Sequence, residues 1–198
     1  PIFNPLLISI IAVMIFLSVF HIDYESYNVS ARYLSYLLTP ATVCLAVPLY
    51  QQLSLLKKHA RAILAGTVTG VLTTMATVLV LALLFQLTHE QYVTFLPKSI
   101  TTAIGMGVSE EMGGIVTITV ACIIITGIIG NIIAETVCRL FHITEPVAKG
   151  IAIGSASHAI GTTKAMEMGE IEGAMSSLAI AVSGLCTVLF ASVFANFI

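Results

Sequence analysis

The run MGGIVTITVACIIITGIIGNIIA, residues 112–134, carries no charged side chain between Glu111 and Glu135. A helix needs roughly 20 apolar residues to cross the hydrocarbon core of a bilayer. A helix is also one of the few ways to satisfy backbone N–H and C=O groups away from water. Three more runs read the same way: Pro1–Phe20, Ala62–Thr88 and Gly173–Ile198. The composition agrees. Hydrophobic residues make up 58% of the 198-residue chain and charged residues 9%, against about 25% charged in soluble domains. Mean hydropathy is +1.03. So few charges cannot cover a water-exposed surface, and the chain reads as one all-α membrane domain, residues 1–198, embedded in a lipid bilayer.

Three other stretches are apolar but interrupted. Tyr33–Leu56 holds Pro40 and Pro48, Pro97–Ser109 holds Lys98 and two glycines, and Pro146–Gly169 holds Lys149, Gly150, Gly154, His158, Gly161 and Lys164. These read as half-helices, re-entrant hairpins or broken spans, giving about seven membrane segments in all, two or three of them discontinuous. Irregular backbone at membrane depth survives only where protein or a watery cavity surrounds it, so the broken segments point to a site.

Lys and Arg set the expected orientation. The loops around Lys57, Lys58 and Arg61 and around Arg139 and Lys149 go to the cytoplasm, and 21–39, 88–96 and 164–172 go outside. On that path 146–163 crosses the membrane, whereas 97–111 enters and leaves on one side. Pro40 aligns with Pro146, and Leu45-Ala46-Val47 with Ile151-Ala152-Ile153. This suggests an inverted repeat with halves of roughly 1–90 and 91–198, as in many secondary transporters.

The segment Gly154-Ser155-Ala156-Ser157-His158-Ala159-Ile160-Gly161-Thr162-Thr163-Lys164 combines flexible backbone, hydroxyls and a histidine inside an apolar stretch. An ionisable group at that depth faces a cavity or a partner. His158 can bind a carboxylate or relay a proton, or it can be a structural histidine bonded to a neighbouring carbonyl. In Pro97-Lys98-Ser99-Ile100-Thr101-Thr102, Pro97 can open a helix whose free N–H groups favour an anion, with Lys98 adding a full charge; the alternative is a lysine snorkelling to the headgroups. Glu110 and Glu111 read as interfacial charges, with Glu110 the one to turn inward toward Lys98. Asn4-Pro5 and Thr39-Pro40 look like helix entrances, serving either a site or a cap. Asn131 suits a helix–helix hydrogen bond, Gly127-x-x-Gly130 suits packing, and Glu135 suits the interface.

Several functions are excluded. A net charge of −2 provides no basic face for nucleic acid. The sequence has no GxxxxGK[ST] loop for ATP, no HExxH and no His/Cys cluster, so no cofactor or metal is called for. Cys44, Cys122, Cys138 and Cys186 sit in apolar surroundings as small hydrophobes. Ser157 and His158 are immediate neighbours and point apart, which argues against a hydrolase or any other enzyme.

The motifs Asn4-Pro5-Leu6-Leu7, Tyr24-x-x-Tyr27, Pro40-Ala41-Thr42-Val43, Ala46-Val47-Pro48-Leu49-Tyr50, Leu96-Pro97-Lys98-Ser99-Ile100-Thr101-Thr102, Gly113-Gly114-Ile115, Ile125 to Gly130, Gly154 to Thr162 and Glu172-Gly173-Ala174 resemble the LrgB/CidB membrane protein family, which includes the plastid glycolate/glycerate translocator. The resemblance spans the whole chain. Ala103 stands where the family has Pro, and Ser155 where it has Thr. The family also carries one more helix before Asn-Pro-Leu-Leu, which this chain is expected to lack. Two roles are implied. One is a carrier of small organic monocarboxylates such as glycolate, glycerate or pyruvate. The other is a holin/antiholin-like regulator of murein hydrolase activity and lysis, acting with a small LrgA/CidA-type membrane partner.

The glycine-broken polar segments favour the carrier, in a bacterial inner membrane and with a homodimer permitted. The expected carboxylate site draws on Asn4, Lys98, Ser99, Thr101, Thr102, Glu110, Ser155, Ser157, His158 and Thr162.

Overall fold

The structure is a computed structural model, and it describes residues 5–36, 40, 50 and 53–198. Its elements are α1 (Pro5–Val19), α2 (Tyr24–Ser35), α3 (Leu53–Leu84), α4 (His89–Phe95), α5 (Thr102–Glu111), α6 (Val116–Leu140), α7 (Pro146–Met168), α8 (Glu170–Phe194) and a final 3-10 turn, Ala195–Phe197. Among the described residues there is no strand. Among the described residues, three helical stretches are long and apolar enough to cross a membrane: Lys57–Leu84, Val116–Leu140 and Glu170–Phe197. The uncharged run expected from Pro1 forms the shorter helix α1, most of whose described side chains are exposed. Most of Tyr33–Leu56 and all of residues 1–4 lie outside the described residues, and with them Asn4 and the alignment of Leu45-Ala46-Val47 with Ile151-Ala152-Ile153.

Helix ends follow local chemistry. Thr88 and Gln91 form a reciprocal capping box that starts α4. Helix α5 stops at Gly113, whose φ of +79° suits glycine. The N–H of Gly114 donates to the carbonyl of Ser109 (2.8 Å) and that of Gly113 to the carbonyl of Glu110 (3.1 Å), which is the Schellman ending. The same pair of bonds ends α1 at His21, α3 at Gln86 and α6 at His142.

The decisive feature is a reversal inside α7. His158 has φ 42° and ψ −144°, and the chain doubles back there. Before it, Gly150 and Gly154 lie against Glu172, Met175 and Ser176 of α8. After it, Thr162 bonds Ser176 at 2.7 Å and Gly173 lies against Met166. Both limbs therefore flank the same part of α8. Lys149, near the start of α7, lies 4.0 Å from Glu172, just past its end.

A straight α7 of 23 residues would separate those ends by about 35 Å. The expectation that 146–163 crosses, leaving 164–172 on the far side, is thus corrected. Lys164 reaches Glu135 of α6 (3.4 Å) and Glu167 (3.2 Å), so it shares one end of the molecule with Arg139 and Lys149. Lys164 can stay at that end because its charge is neutralised there by two carboxylates.

A second reversal lies between α4 and α5. Thr94 of α4 and Ser109 of α5 converge on the start of α6, where Thr119 Oγ1 bonds both Ser109 Oγ (2.7 Å) and the Thr94 carbonyl (2.9 Å). The opposite end of the molecule is closed by Tyr92 donating to the Phe194 carbonyl (2.9 Å) and by a core of Val71, Met75, Val78, Tyr92, Leu96, Ile100 and Val108.

The glycines allow the α7 limbs to pack this tightly. A Cβ at Gly154 would collide with the Ser176 carbonyl oxygen and stand 2.8 Å from its Cα, whereas a Cβ at Gly107 meets nothing within 4 Å. Gly154→Ala should therefore cost roughly 1–3 kcal/mol through overpacking. Gly107→Ala should be neutral or stabilising, because alanine is the better helix former. Thermal unfolding of the detergent-solubilised protein checks this, and equal melting temperatures for the two variants would refute the close approach of α7 to α8.

Candidate functional site

The two reversals place their tips near each other, beside the middle of α6. The first tip is Pro97–Thr101. Pro97 does not open a helix, contrary to the sequence reading. The carbonyl of Phe95 accepts from the Lys98 N–H (3.2 Å) and that of Pro97 from the Ile100 N–H (3.3 Å), so these residues form turns. Thr101 is extended (φ −63°, ψ 147°) and α5 starts only at Thr102. No side chain caps that start, and the hydroxyl of Thr101 makes no capping bond.

The second tip is Ser157–His158. The ring of His158 is buried, and its Nε2 lies 2.9 Å from the Ile123 carbonyl of α6. Since a carbonyl only accepts, Nε2 carries the proton and donates. Gly127 makes room for the ring: a Cβ there would stand 2.7 Å from Cε1 and 2.9 Å from Nε2. One turn on, Gly130 does the same for Ser157. Asn131 Nδ2 donates to the Ile160 carbonyl and to Thr163 Oγ1, both at 2.9 Å. Thr162 Oγ1 donates to the His158 carbonyl at 3.0 Å and also pairs with Ser176 Oγ. A hydroxyl has one proton, so Ser176 is the donor within that second pair.

Between the tips lies a cavity lined by Val71, Thr74, Met75, Leu96, Ser99, Ile100, Ser155 and Thr187. It brings together one hydroxyl from each tip, with one more from α3 and one from α8. At about 10 Å³ it has the room of one water, so a carboxylate does not fit there in this conformation. Ser155 Oγ donates to the Ile151 carbonyl at 2.7 Å, which leaves its lone pairs free to accept. Lys98 Nζ donates to Ser99 Oγ at 3.3 Å. Lys98 also ends a larger cleft of about 370 Å³ between α6 and the first limb of α7, shared with Thr126, Gly130, Ala156 and Ser157.

Of the residues singled out from sequence, Lys98, Ser99, Ser155 and Ser157 thus line this pair of cavities. His158 and Thr162 lie in the same tip, turned into hydrogen bonds that hold the break. Thr101 and Thr102 are half-buried at the start of α5. Glu110 is exposed, and among the described residues no ion pair joins it to Lys98. This corrects its inward placement: the Schellman turn sets the end of α5 at the surface, far along the helix from the tip. Glu135 is exposed at the interface-like end, paired with Arg139 at 3.2 Å. Thr74, Thr126 and Thr187 were not anticipated. Thr126 and Thr187 are lone hydroxyls in apolar runs and Thr74 is one of several threonines on α3, and only the fold reveals which of them faces inward.

The positive φ of His158 is a strained conformation for any residue with a Cβ and costs of order 1–3 kcal/mol. His158→Gly and His158→Ala both lose the bond to Ile123, but only the glycine variant relieves the backbone. His158→Gly should therefore unfold at a higher temperature than His158→Ala. The reverse order would mean that the backbone at 158 is unstrained.

The sequence model of the LrgB-like family matches residues 1–197. Antiholin-like protein LrgB of Bacillus mycoides (strain KBAB4) is 36% identical over 196 residues, covering 99% of this chain and 85% of that protein. The proteins of the same name from Bacillus cereus (strain B4264) and Bacillus anthracis (strain CDC 684 / NRRL 3495) match to the same extent. No solved structure matches the chain.

Proposed function

The chain belongs to the LrgB-like family, and on that footing we propose that it is a secondary carrier of small organic monocarboxylates such as glycolate, glycerate or pyruvate. The observation that carries this reading is the meeting of two chain reversals, one tip bearing Lys98 and Ser99 and the other Ser155 and Ser157, among helices long enough to span a membrane. In a bilayer the reversals read as re-entrant hairpins. Discontinuous helices at the midplane are where secondary carriers bind substrate.

The uncapped start of α5 adds a helix N-terminus, favourable to an anion, beside the Lys98 charge. The repeat is then best drawn as two hairpin-plus-span units, 89–140 and 146–194, running in opposite directions. Of the eight Lys and Arg residues, Lys57, Lys58, Arg61, Arg139, Lys149 and Lys164 gather at one end; His59 ties the start of α3 to Glu145 and Pro146 in one groove. By the positive-inside rule that end is cytoplasmic, in a bacterial inner membrane. Lys98 supplies charge, Ser99, Ser155 and Ser157 hydrogen-bond the acid, Thr101 and Thr102 form the lip, and His158 and Thr162 position the tip.

The second reading is an antiholin-like regulator of lysis acting with a small LrgA/CidA-type membrane partner or as a homodimer. The names of the relatives favour it. Proteoliposomes separate the two readings. A carrier takes up radiolabelled glycolate or pyruvate saturably, loses at least tenfold in rate with Lys98→Ala, and is unaffected by Glu110→Gln. Unselective dye leakage that survives Lys98→Ala would refute the carrier reading.

Sidedness is tested separately with cysteine-free protein. Arg139→Cys and Lys164→Cys should both react with a membrane-impermeant thiol reagent from the cytoplasmic face. Labelling from opposite faces would overturn the re-entrant α7.

A further inference from the structure

Lys98 differs from every other cation of the chain. Of the eight Lys and Arg side chains, Arg32, Lys57, Lys58, Arg61 and Arg139 are exposed, and Lys149 and Lys164 stand beside carboxylates. Lys98 is half-buried, and its hydrogen bond goes to a neutral hydroxyl, Ser99 Oγ. All ten Asp and Glu side chains lie among the described residues, and none forms an ion pair with Lys98. The chain therefore supplies no counter-charge for it.

The position of Lys98 makes this lack costly. The cleft it shares with Thr126, Ile129 and Gly130 lies along the middle of α6, roughly 15–20 Å from either helix end. In a bilayer that is too deep for a lysine to snorkel out. The cleft also borders hydrocarbon, because Ile129 and Ile133 of its wall are exposed on the outer face of α6. An ammonium without an anion is strongly disfavoured in such surroundings.

The groups around Lys98 do not supply one. From α6 the Cys122 thiol comes within electrostatic reach, and a thiol is neutral at physiological pH. The first limb of α7 presents Ala156 and Ser157, and the small cavity behind Ser99 presents the hydroxyls of Thr74, Ser155 and Thr187. The titratable groups farther along, Glu135, Arg139, His142, Lys149, Lys164 and Glu167, lie past Cys138 and Ile143 in the charged cleft at the end of the molecule. His158 lines neither tip cavity, and its proton is held on the Ile123 carbonyl.

We infer that Lys98 is the proton-coupling group of the carrier: a neutral amine when the site is empty, it takes up one proton together with one carboxylate and releases both on the other side. The empty site is then an amine and the loaded site an ammonium–carboxylate pair. Neither form carries net charge through the membrane, and acid and proton move one to one. The inference rests on the carrier reading and names the ion that drives it.

The test uses the purified full chain in proteoliposomes, with glycolate and pyruvate as probes and a trapped pH-sensitive dye. Net uptake above that of protein-free liposomes should rise with an inward proton gradient, with one proton entering per acid. Imposed membrane potentials of either sign should leave it unchanged. Lys98→Arg keeps a cation that does not deprotonate. It should still exchange labelled for unlabelled glycolate, but lose about tenfold or more in net uptake together with the proton dependence. Lys98→Met should lose both modes.

Net uptake that follows the membrane potential, that needs sodium in place of protons, or that Lys98→Arg sustains at the wild-type rate would overturn the inference and leave the carrier reading standing. Exchange without net uptake by the unaltered chain would do the same, since it marks a lysine that stays charged. The potential dependence is read on the unaltered chain, so misfolding of Lys98→Arg does not shield the inference. Absence of saturable transport in any mode would refute the carrier reading and the coupling with it.

Discussion

The fold depends on how the break at His158 is satisfied. Interrupting a helix frees backbone carbonyls and N–H groups, and in a dry interior each one left unpaired costs about 1–3 kcal/mol. Here the freed groups are taken up by α6 and from within α7 itself. Asn131 bonds the Ile160 carbonyl, Thr162 bonds the His158 carbonyl, and the imidazole ties the turn to Ile123 of α6. The histidine is thus held by a donated hydrogen bond at the point where the backbone is least favourable. Its bond to α6 and the packing of the limbs on α8 outweigh the strain, which is the condition for such a residue to persist.

That bonding scheme requires close approach, and close approach requires small residues. With no hydrophobic drive between helices in lipid, packing and hydrogen bonds must hold them together, and small side chains let backbones meet. Gly127 and Gly130 on α6 face His158 and Ser157, and Gly150 and Gly154 on α7 face α8. The serines do the same on their own helices: Ser155, Ser177 and Ser183 return their hydroxyl protons to carbonyls one turn back, so each is satisfied locally and keeps acceptor capacity. A polar tip is therefore affordable in an otherwise apolar chain.

Much of this was legible in the sequence. Long uncharged runs fix three helices because the bilayer permits little else, and the glycine–serine segment marks the break because no lipid-facing helix needs it. Asn131 makes the interhelix bond expected of it, and Gly127 and Gly130 pack as expected. The path of α7 was misread. Lys164 with its nearby acids reads as an exterior loop, because the charge rule counts residues along the chain and cannot see that Glu135, far earlier in the sequence, stands beside Lys164 in space and pairs with it. Likewise Pro97 suggested a helix start, and the turn it occupies shifts that start to Thr102. The helix ends at His21, Gln86 and His142 were invisible because each takes a left-handed residue without glycine. Thr74, one of several threonines on α3, and Thr187 were invisible because a threonine in an apolar run carries no sign of which way it faces.

The carrier and antiholin readings make different demands on the same residues. A regulator that works by assembling in the membrane needs outward-facing surfaces, and the exposed apolar faces of α1, α6 and α8 would serve. It has no use for two strained or unwound tips brought together inside the bundle, one of them bearing a half-buried lysine. Polar groups at such depth are costly wherever they occur, and here that cost is concentrated at the junction of the two reversals. The cavity between the tips holds no more than a water's volume, while the cleft beside it is open along the exposed side of α6 and adjoins the charged cleft at Cys138 and Ile143. On the proposed carrier reading, the closed junction would be one half of an alternating-access cycle, in which rocking of one hairpin-plus-span unit against the other would exchange which end the Lys98 tip faces.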